Sequence, residues 1–219
     1  MGQYFDLLKF YPAGKGRADE RPVITEEQRE ISRQFGYDYF DGDRKYGYGG
    51  YSYHPRFWTQ TVEHIAAHYG LSETSAVLDV GCGKGFMLKD LHLLLPGATL
   101  AGVDISPYAV STAEPEVSQF IVEGCASNLP FDDKSFDLVL SINTIHNLDR
   151  EGCIQALAEI QRVTRRDACV VVDAWSTDAE HEAMLDWVLT AKTMSHIDDW
   201  NALFKAAEYD GDYAFWTVQ

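Results

Sequence analysis

The sequence predicts an α/β fold in which a doubly wound, mostly parallel sheet is covered by helices on both faces. From about residue 71 onward, short apolar runs alternate with amphipathic segments, as they do when crossover helices connect parallel strands. The first apolar run leads into a glycine-rich turn at 79–85. The preceding residues differ in composition, since they are nearly neutral and rich in aromatic side chains.

Two helices are predicted ahead of the alternating region. Thr25 and Gln28 form a capping-box pattern, which indicates a helix over 25–35. A second helix is predicted over 55–69, because apolar residues recur there at helical spacing and Gly70 follows.

The alternating region contains six predicted strands and five predicted helices. The strands are short apolar runs at 76–80, 99–103, 120–122, 136–142, 168–173 and 213–218. The helices are predicted at 86–95, 107–113, 151–164, 179–193 and 198–207, with a loop over 143–149. In a sheet of this kind ligands bind beyond the carboxyl ends of the strands, so the residues that follow each strand are the candidate site.

The charge of the chain excludes several classes of partner. The 219 residues carry 34 acidic and 18 basic side chains, a formal net charge of −16. Residues 1–70 hold nine basic and ten acidic side chains, so the negative charge belongs to the remainder. This balance argues against nucleic acid and anionic membrane surfaces as partners. No apolar stretch of about 18 residues predicts a transmembrane helix, and the first residues do not match a signal peptide.

The cysteines favour a reducing compartment. Cys82, Cys125, Cys153 and Cys169 show neither a CxxC pair nor zinc-ligand spacing. Reduced thiols and a cytoplasmic location are therefore expected.

The turn after the first strand has the pattern GxGxG, at Gly81, Gly83 and Gly85, and Asp79 precedes it. Glycines allow a sharp turn from strand to helix and a close approach of a ligand to the backbone. The next strand is followed by Asp104, whose carboxylate can accept both hydroxyls of a ribose. A dinucleotide site would have GxGxxG, and Asp79 would repel a pyrophosphate but suits an ammonium group. The loop thus favours a nucleoside that carries an amino acid over a nicotinamide dinucleotide.

Several ordered motifs resemble class I S-adenosylmethionine-dependent methyltransferases. VLDVGCGKG at 77–85 is similar to the first motif of that family, and AGVDIS at 101–106 is similar to the second. EGCASNLPFDDKSFDLVLSINTIHNL at 123–148 resembles the region of the third and fourth strands. The resemblance implies a seven-stranded sheet that ends in an antiparallel hairpin. Because only five residues separate 207 from 213, we expect the first strand of that hairpin to be very short or displaced.

The resemblance also implies S-adenosylmethionine as cofactor, S-adenosylhomocysteine as product, and a set of cofactor-binding residues. Asp79 and the loop from Gly81 to Gly85 would hold the methionine part. Asp104 would bind the ribose, and Ile105 would pack on the adenine. Cys125 stands where the family usually has Asp, so Ser127 or Asn128 would have to replace that contact, or it is lost. The full cofactor set is Asp79, Gly81, Cys82, Gly83, Gly85, Asp104, Ile105, Cys125, Ala126 and Asn143.

His146 is the candidate general base, because it follows the fourth strand and an unperturbed imidazole titrates near neutral pH. Substrate positioning and a structural role remain open for it. Asn143 is the first residue after the same strand and would bind the amino group of the cofactor or the acceptor. No carboxylate-rich cluster follows that strand, so no metal is expected.

The segment 39–58 is rich in tyrosine and glycine and is interpreted as a lid, as family relatives often have one before the core. The expected domains are a lid and substrate-recognition extension at 1–70 and a methyltransferase core at 71–219. Arg44 and Arg56 add positive charge, which suits a polar, anionic or sugar-like acceptor; packing of the aromatic side chains on the sheet is the open alternative. Candidate acceptor-binding residues are Tyr46, Tyr48, Tyr51, Tyr53, Arg44, Arg56, Trp175 and His146.

The sequence therefore predicts methyl transfer to a small polar acceptor on oxygen or nitrogen, such as a sugar or an intermediate of secondary metabolism. The oligomeric state is left open, a homodimer included. Two alternatives remain: an S-adenosylmethionine-binding protein without transfer activity, and a methyltransferase that acts on a peptide or protein.

Overall fold

The computed structural model describes residues 2–12, 24–49 and 52–218. The strands are β1 (Ala76–Val80), β2 (Thr99–Asp104), β3 (Ile121–Glu123), β4 (Phe136–Ile142), β5 (Thr164–Trp175), β6 (Ser195–His196) and β7 (Asp212–Trp216). The helices are α1 (Glu26–Ser32), α2 (Tyr37–Phe40), α3 (Pro55–Tyr69), α4 (Phe86–Leu94), α5 (Pro107–Ser111), α6 (Arg150–Val163), α7 (Asp178–Trp187) and α8 (Ile197–Ala206). The prediction of a doubly wound, mostly parallel seven-stranded sheet is confirmed.

The sheet has the strand order β3-β2-β1-β4-β5, and both β6 and β7 pair with β5. Side chains along each strand alternate between the two faces, so Leu78 and Val80 join one core and Val77 joins the other. Helices α6 and α8 cover the first face. Helices α3 and α4 cover the second. The buried β-branched runs of the sequence thus form two cores on a single sheet.

The expected antiparallel hairpin is not formed, which corrects that part of the fold prediction. Strand β7 pairs with β5 in parallel, from Cys169 opposite Asp212 to Asp173 opposite Trp216. Helix α8 makes the crossover that this direction requires. Strand β6 is only two residues long and pairs in parallel with the end of β5. The short link before β7 is compatible with a parallel strand because α8 reverses the chain direction.

Helix α7 ends at Trp187, six residues earlier than the sequence predicts. Backbone groups at and beyond this end form hydrogen bonds with other parts of the chain. The Arg29 guanidinium donates to the carbonyls of Leu185 and Val188, and the amides of Lys192 and Thr193 donate to the carbonyl of His146. The segment after α7 is therefore held against the carboxyl end of the sheet.

The first described residues cover the free edge of β7. The Phe5 amide donates to the carbonyl of Tyr213, and the Tyr213 amide donates to the carbonyl of Gln3. The side chains of Phe5 and Leu7 are buried in the same core as α3. An edge strand with exposed backbone groups is protected in this way, and the N-terminal chain is brought beside the ends of β5 and β7.

Phe204 tests whether α8 anchors the last strand. Its ring is fully buried and contacts the rings of Trp200, Tyr209, Tyr213 and Phe215. Phe204→Ala is expected to lower the free energy of unfolding by about 3–5 kcal/mol through the cavity it leaves, measured by urea denaturation. Leu93→Ala, on an exposed position of α4, is the control and should cost less than about 1 kcal/mol. Equal losses for the two variants would contradict the packing of α8.

Candidate functional site

Two contiguous cavities lie beyond the carboxyl ends of the parallel strands. The larger has a volume of about 940 Å³ and includes Asp79, His146 and Asp173 in its lining. The smaller has a volume of about 530 Å³ and includes Asp104. Both are lined by the glycine loop and by Asn143. We refer to them below as the larger and the smaller cavity.

The glycine loop lies at the boundary between the cavities. Gly81 has a φ of 82°, and a Cβ there would lie 2.1 Å from Oγ1 of Thr144, so no other residue fits. The Gly83 amide donates to Oδ2 of Asp104 at 2.7 Å. Gly85 lines neither cavity, and a Cβ there would lie 2.6 Å from Ile121. Gly85 thus permits close packing of helix on sheet, and the cofactor contact expected of it stays a prediction.

Asp79 lies on the floor of the larger cavity with 4% of its surface exposed. No cation within ion-pair distance of its carboxylate is found in the described part of the chain. Burial, together with the neighbouring charge of Asp104, raises the pKa of Asp79 to about 8. A bound cation would stabilise its carboxylate, and an α-ammonium group is such a cation.

The carboxylate of Asp104, unlike that of Asp79, has hydrogen-bond donors within the described part of the chain. Its carboxylate accepts hydrogen bonds from the amides of Gly83 and Ser106. Burial raises the pKa of Asp104, and these two hydrogen bonds oppose that shift. Each oxygen keeps a further lone pair, so the carboxylate can still accept hydroxyls from a ligand in the smaller cavity.

The smaller cavity fits an adenosine in its apolar lining. Ile105 is 52% exposed, and it lines this cavity with Cys125 and Ala126. Neither Ser127 nor Asn128 lines either cavity. The Cys125 thiol lies 3.1 Å from the Ser127 hydroxyl, and the replacement contact from Ser127 or Asn128 stays a prediction. Cys82 is buried and lines the larger cavity.

Asn143 combines a strained backbone with an unsatisfied polar atom. Its φ of 51° lies in the left-handed region, which Asn tolerates better than most residues. Its side-chain oxygen Oδ1 is buried and has no hydrogen-bond partner. An acceptor without a donor at a cavity wall costs free energy unless a ligand supplies the donor. The ammonium group that fits Asp79 would also satisfy Asn143, so the residues present fit the cofactor.

A short segment of the N-terminal chain closes over the glycine loop, which the sequence did not reveal in detail. The Lys84 ammonium forms an ion pair with the Asp41 carboxylate at 2.5 Å. The Tyr108 hydroxyl donates to the same carboxylate at 2.7 Å. Burial alone would raise the pKa of Asp41, but these hydrogen bonds outweigh it and lower the pKa. No local pattern links residues so distant along the chain.

His146 and Asp173 form a buried pair at the larger cavity. The Asp173 amide donates to Nδ1 of His146 at 3.0 Å, so a neutral imidazole carries its proton on Nε2. That nitrogen lies 3.6 Å from Oδ2 of Asp173. Burial lowers the pKa of His146, and the Asp173 carboxylate only partly opposes this. Burial raises the pKa of Asp173. The sequence analysis missed Asp173, although it ends a predicted strand.

The structure separates the candidate acceptor residues. Tyr48 and His146 line the larger cavity. The Tyr53 hydroxyl donates instead to Asp90, and the Trp175 ring stacks on His181. Tyr51 lies outside the described residues. The candidates that line neither cavity are Tyr46, Tyr53, Arg44, Arg56 and Trp175.

The basic side chains that suggested an anionic acceptor are bound elsewhere. The Arg44 guanidinium donates to the carbonyl of Gly47 and lies over the Trp187 ring. The Arg56 guanidinium lies over the exposed face of Phe57, 4.5 Å from the ring centroid. Their aromatic partners, rather than the charges themselves, form part of the cavity wall.

Within 2–12, 24–49 and 52–218, no group of three or more His, Cys, Asp or Glu side chains is placed to hold a metal ion. No helix in the same ranges has the length and apolar character needed to cross a membrane.

Comparison with known proteins shows similarity over the part of the chain that contains the glycine loop. Residues 78–172 match the methyltransferase domain family. A malonyl-[acyl-carrier protein] O-methyltransferase of Legionella pneumophila is 28% identical over 127 residues, which are 56% of this chain and 44% of the relative. A protein of Encephalitozoon cuniculi named as a methyltransferase is 29% identical over 67% of this chain and 66% of its own length. The chain thus spans less than two thirds of the length of these relatives.

Solved structures of other proteins share this fold. A SAM-dependent methyltransferase from Aquifex aeolicus superimposes with a TM-score of 0.52 at 20% identity, over 67% of this chain and 78% of the other. The matched family domain covers β1 through most of β5, including the glycine loop, Asp104 and Asn143. The matched domain, these relatives and the shared fold support a class I S-adenosylmethionine-dependent methyltransferase domain in residues 78–172, and they imply S-adenosylmethionine as its cofactor.

Proposed function

We propose that the protein transfers a methyl group from S-adenosylmethionine to a small molecule bound in the larger cavity. The observation that carries this proposal is the joining of the two cavities beside the glycine loop and Asn143. The residues assigned to the cofactor line both cavities, Asp104 and Ile105 the smaller and Asp79 the larger. The larger cavity has further polar groups, His146 and Asp173, beside which a second ligand can lie. Such an arrangement suits two ligands that must meet end to end.

Residues of the chain hold the cofactor in this proposal as follows. Asp79 and Asn143 bind the ammonium group, and Asp104 binds the ribose hydroxyls. Ile105 packs on the adenine, and the Ala126 amide donates to a ring nitrogen. When bound, the cofactor supplies a methyl group on a positively charged sulfur, which passes to a nucleophile and gives S-adenosylhomocysteine. Asp41 and Lys84 hold the N-terminal segment across the loop, which excludes water from the reacting groups.

His146 has a positioning role in this proposal and is not a free base. A base needs an available lone pair, and Nδ1 already accepts the Asp173 amide. The remaining nitrogen carries the proton in the neutral ring and faces the Asp173 carboxylate. His146 therefore orients Asp173 at the wall of the larger cavity.

The size of the larger cavity, about 940 Å³, favours a small acceptor over a peptide or protein. Its walls come from the N-terminal chain as well as from the sheet, in line with a recognition role for residues 1–70. A cytoplasmic location belongs to the same proposal and follows from cysteines that are all free. An S-adenosylmethionine-binding protein without transfer activity remains the competing function.

Calorimetric titration with S-adenosylmethionine, followed by an assay for S-adenosylhomocysteine with small-molecule acceptors, tests the function. Binding and turnover together support it. Binding without turnover on any acceptor would favour the competing function. Absence of binding would overturn both.

Asp104 provides the first test of the cofactor site. Asp104→Asn is expected to raise the dissociation constant of S-adenosylmethionine by about 10- to 100-fold, because charged hydrogen bonds to the ribose become neutral ones. Glu123→Gln is the matched control, since Glu123 pairs with Asp104 across the sheet but is exposed and lines neither cavity. Unchanged affinity in Asp104→Asn would remove Asp104 from the site.

Asp79 predicts a pH dependence of cofactor binding. With a pKa of about 8, the free protein holds a proton on Asp79 near neutral pH, and the cofactor's ammonium group favours the carboxylate. Binding should therefore release about one proton, and affinity should rise by up to about tenfold per pH unit between about pH 5.5 and 7. Titration in buffers of different ionisation enthalpy measures the proton release.

Asp79→Asn should abolish that proton release and the rise in affinity. Asp198→Asn, at an exposed carboxylate of α8, should retain both. Proton release that persists in Asp79→Asn would assign the titration to another group.

The ion pair of Asp41 and Lys84 predicts slow cofactor release. Asp41→Asn is expected to speed dissociation of S-adenosylmethionine by about tenfold, because it removes a largely buried ion pair that holds the segment over the glycine loop. Stopped-flow displacement by S-adenosylhomocysteine measures the rate. Asp38→Asn, on an exposed position of α2, should leave it unchanged, and equal rates in all three proteins would contradict the closing role.

A further inference from the structure

We propose that the acceptor is a small organic amine, bound as an ammonium ion by the Asp173 carboxylate and by aromatic rings of the larger cavity. The ammonium passes one proton to the Asp173 carboxylate, and the nitrogen lone pair freed in this way takes the methyl group as the bond from sulfur to methyl breaks, so that the positive charge moves from sulfur to the methylated nitrogen. This inference rests on the proposed function and names the substrate class of the same site. It replaces the anionic or sugar-like acceptor expected from the basic residues of the N-terminal segment.

The first argument is the position of Asp173. It lies near the carboxyl end of β5 with 6% of its surface exposed, and it lines the larger cavity. The side chain found within ion-pair distance of its carboxylate, among the described residues, is that of His146. Because burial keeps His146 largely neutral, this partner does not balance a negative charge. A cationic ligand would balance the negative charge of Asp173.

The second argument is the ring wall beside that carboxylate. Trp216 is the register partner of Asp173 in the neighbouring parallel strand, so the two side chains lie on the same face of the sheet. Trp187 lies 6.4 Å from Trp216 between ring centroids, and Tyr48 lies 5.9 Å from Trp187. Tryptophan and tyrosine faces attract cations. The Arg44 guanidinium, 5.8 Å from the Trp187 centroid, shows such an attraction within the chain itself.

The third argument is the balance of charge in the cavity lining. Of the lysines there, Lys84 is paired with Asp41, and Lys9 is exposed with its ammonium 5.4 Å from the Phe10 ring. Asp79 is assigned to the cofactor, and Asp6 lies exposed at the rim. Asp173 is thus the buried charge that remains for the acceptor, and its sign selects a cation.

Three aromatic probes of similar size test the inference. Phenethylamine carries an ammonium group, phenethyl alcohol a neutral hydroxyl, and phenylacetate a carboxylate. Their binding is followed by tryptophan fluorescence, since Trp58, Trp187 and Trp216 line the cavity. Measurements are made with and without S-adenosylhomocysteine. The amine is expected to bind about tenfold or more tightly than the alcohol, and the carboxylate is expected to bind more weakly than both.

Asp173→Asn should reduce the preference for the amine to less than about threefold, while Asp6→Asn should retain it. Circular dichroism and unchanged affinity for S-adenosylmethionine verify the fold of Asp173→Asn. The wild-type comparison needs no variant and decides the matter if that variant does not fold.

Equal binding of amine and alcohol, preference for phenylacetate, absence of amine binding at millimolar concentration, or a preference that survives Asp173→Asn would overturn the inference. Failure of S-adenosylmethionine to bind would overturn the proposed function instead. The two failures are therefore distinguishable.

Discussion

The site depends on the burial of three carboxylates at the carboxyl ends of parallel strands. Asp79, Asp104 and Asp173 lie on β1, β2 and β5, and each faces a cavity. They differ in how the protein satisfies them. Asp104 accepts two backbone amides, whereas Asp173 has a largely neutral imidazole beside it. Asp79 has no cation near it among the described residues. The free energy spent on burying these groups is recovered when ligands supply the missing donors and positive charge.

The N-terminal chain contacts both the edge of the sheet and the glycine loop. Its first residues protect the edge of β7 and its later ones close over the glycine loop through Asp41 and Lys84. Arg29 donates hydrogen bonds to two carbonyls at the end of α7. The segment that follows α7 donates to the carbonyl of His146. One set of contacts therefore stabilises the sheet edge, shapes the acceptor cavity and covers the cofactor site.

The sequence predicted a cofactor-binding face at the carboxyl ends of the strands from signals that are local. Strand, glycine turn and terminal acid occupy a few consecutive residues, and parallel strands bring their carboxyl ends to one edge. Of the side chains predicted to bind the acceptor, five line neither cavity. Arg44 and Arg56 have the right charge for an anion, yet the Arg44 guanidinium binds the carbonyl of Gly47 and lies over the distant Trp187 ring, and the Arg56 guanidinium lies over the ring of its neighbour Phe57. Long flexible side chains find partners that spacing along the chain does not reveal.

The sequence by itself determined the alternating fold, the α/β class, the glycine loop and the acids that follow the first two strands, since periodicity and turn chemistry act over a few residues. Only the tertiary structure decided the direction of β7, the early end of α7, the ion pair of Asp41 with Lys84, and the pairing of His146 with Asp173. Each of these depends on backbone groups or charges that meet across many residues of chain. The free energy of such contacts depends on burial and distance, and both exist only in the folded molecule.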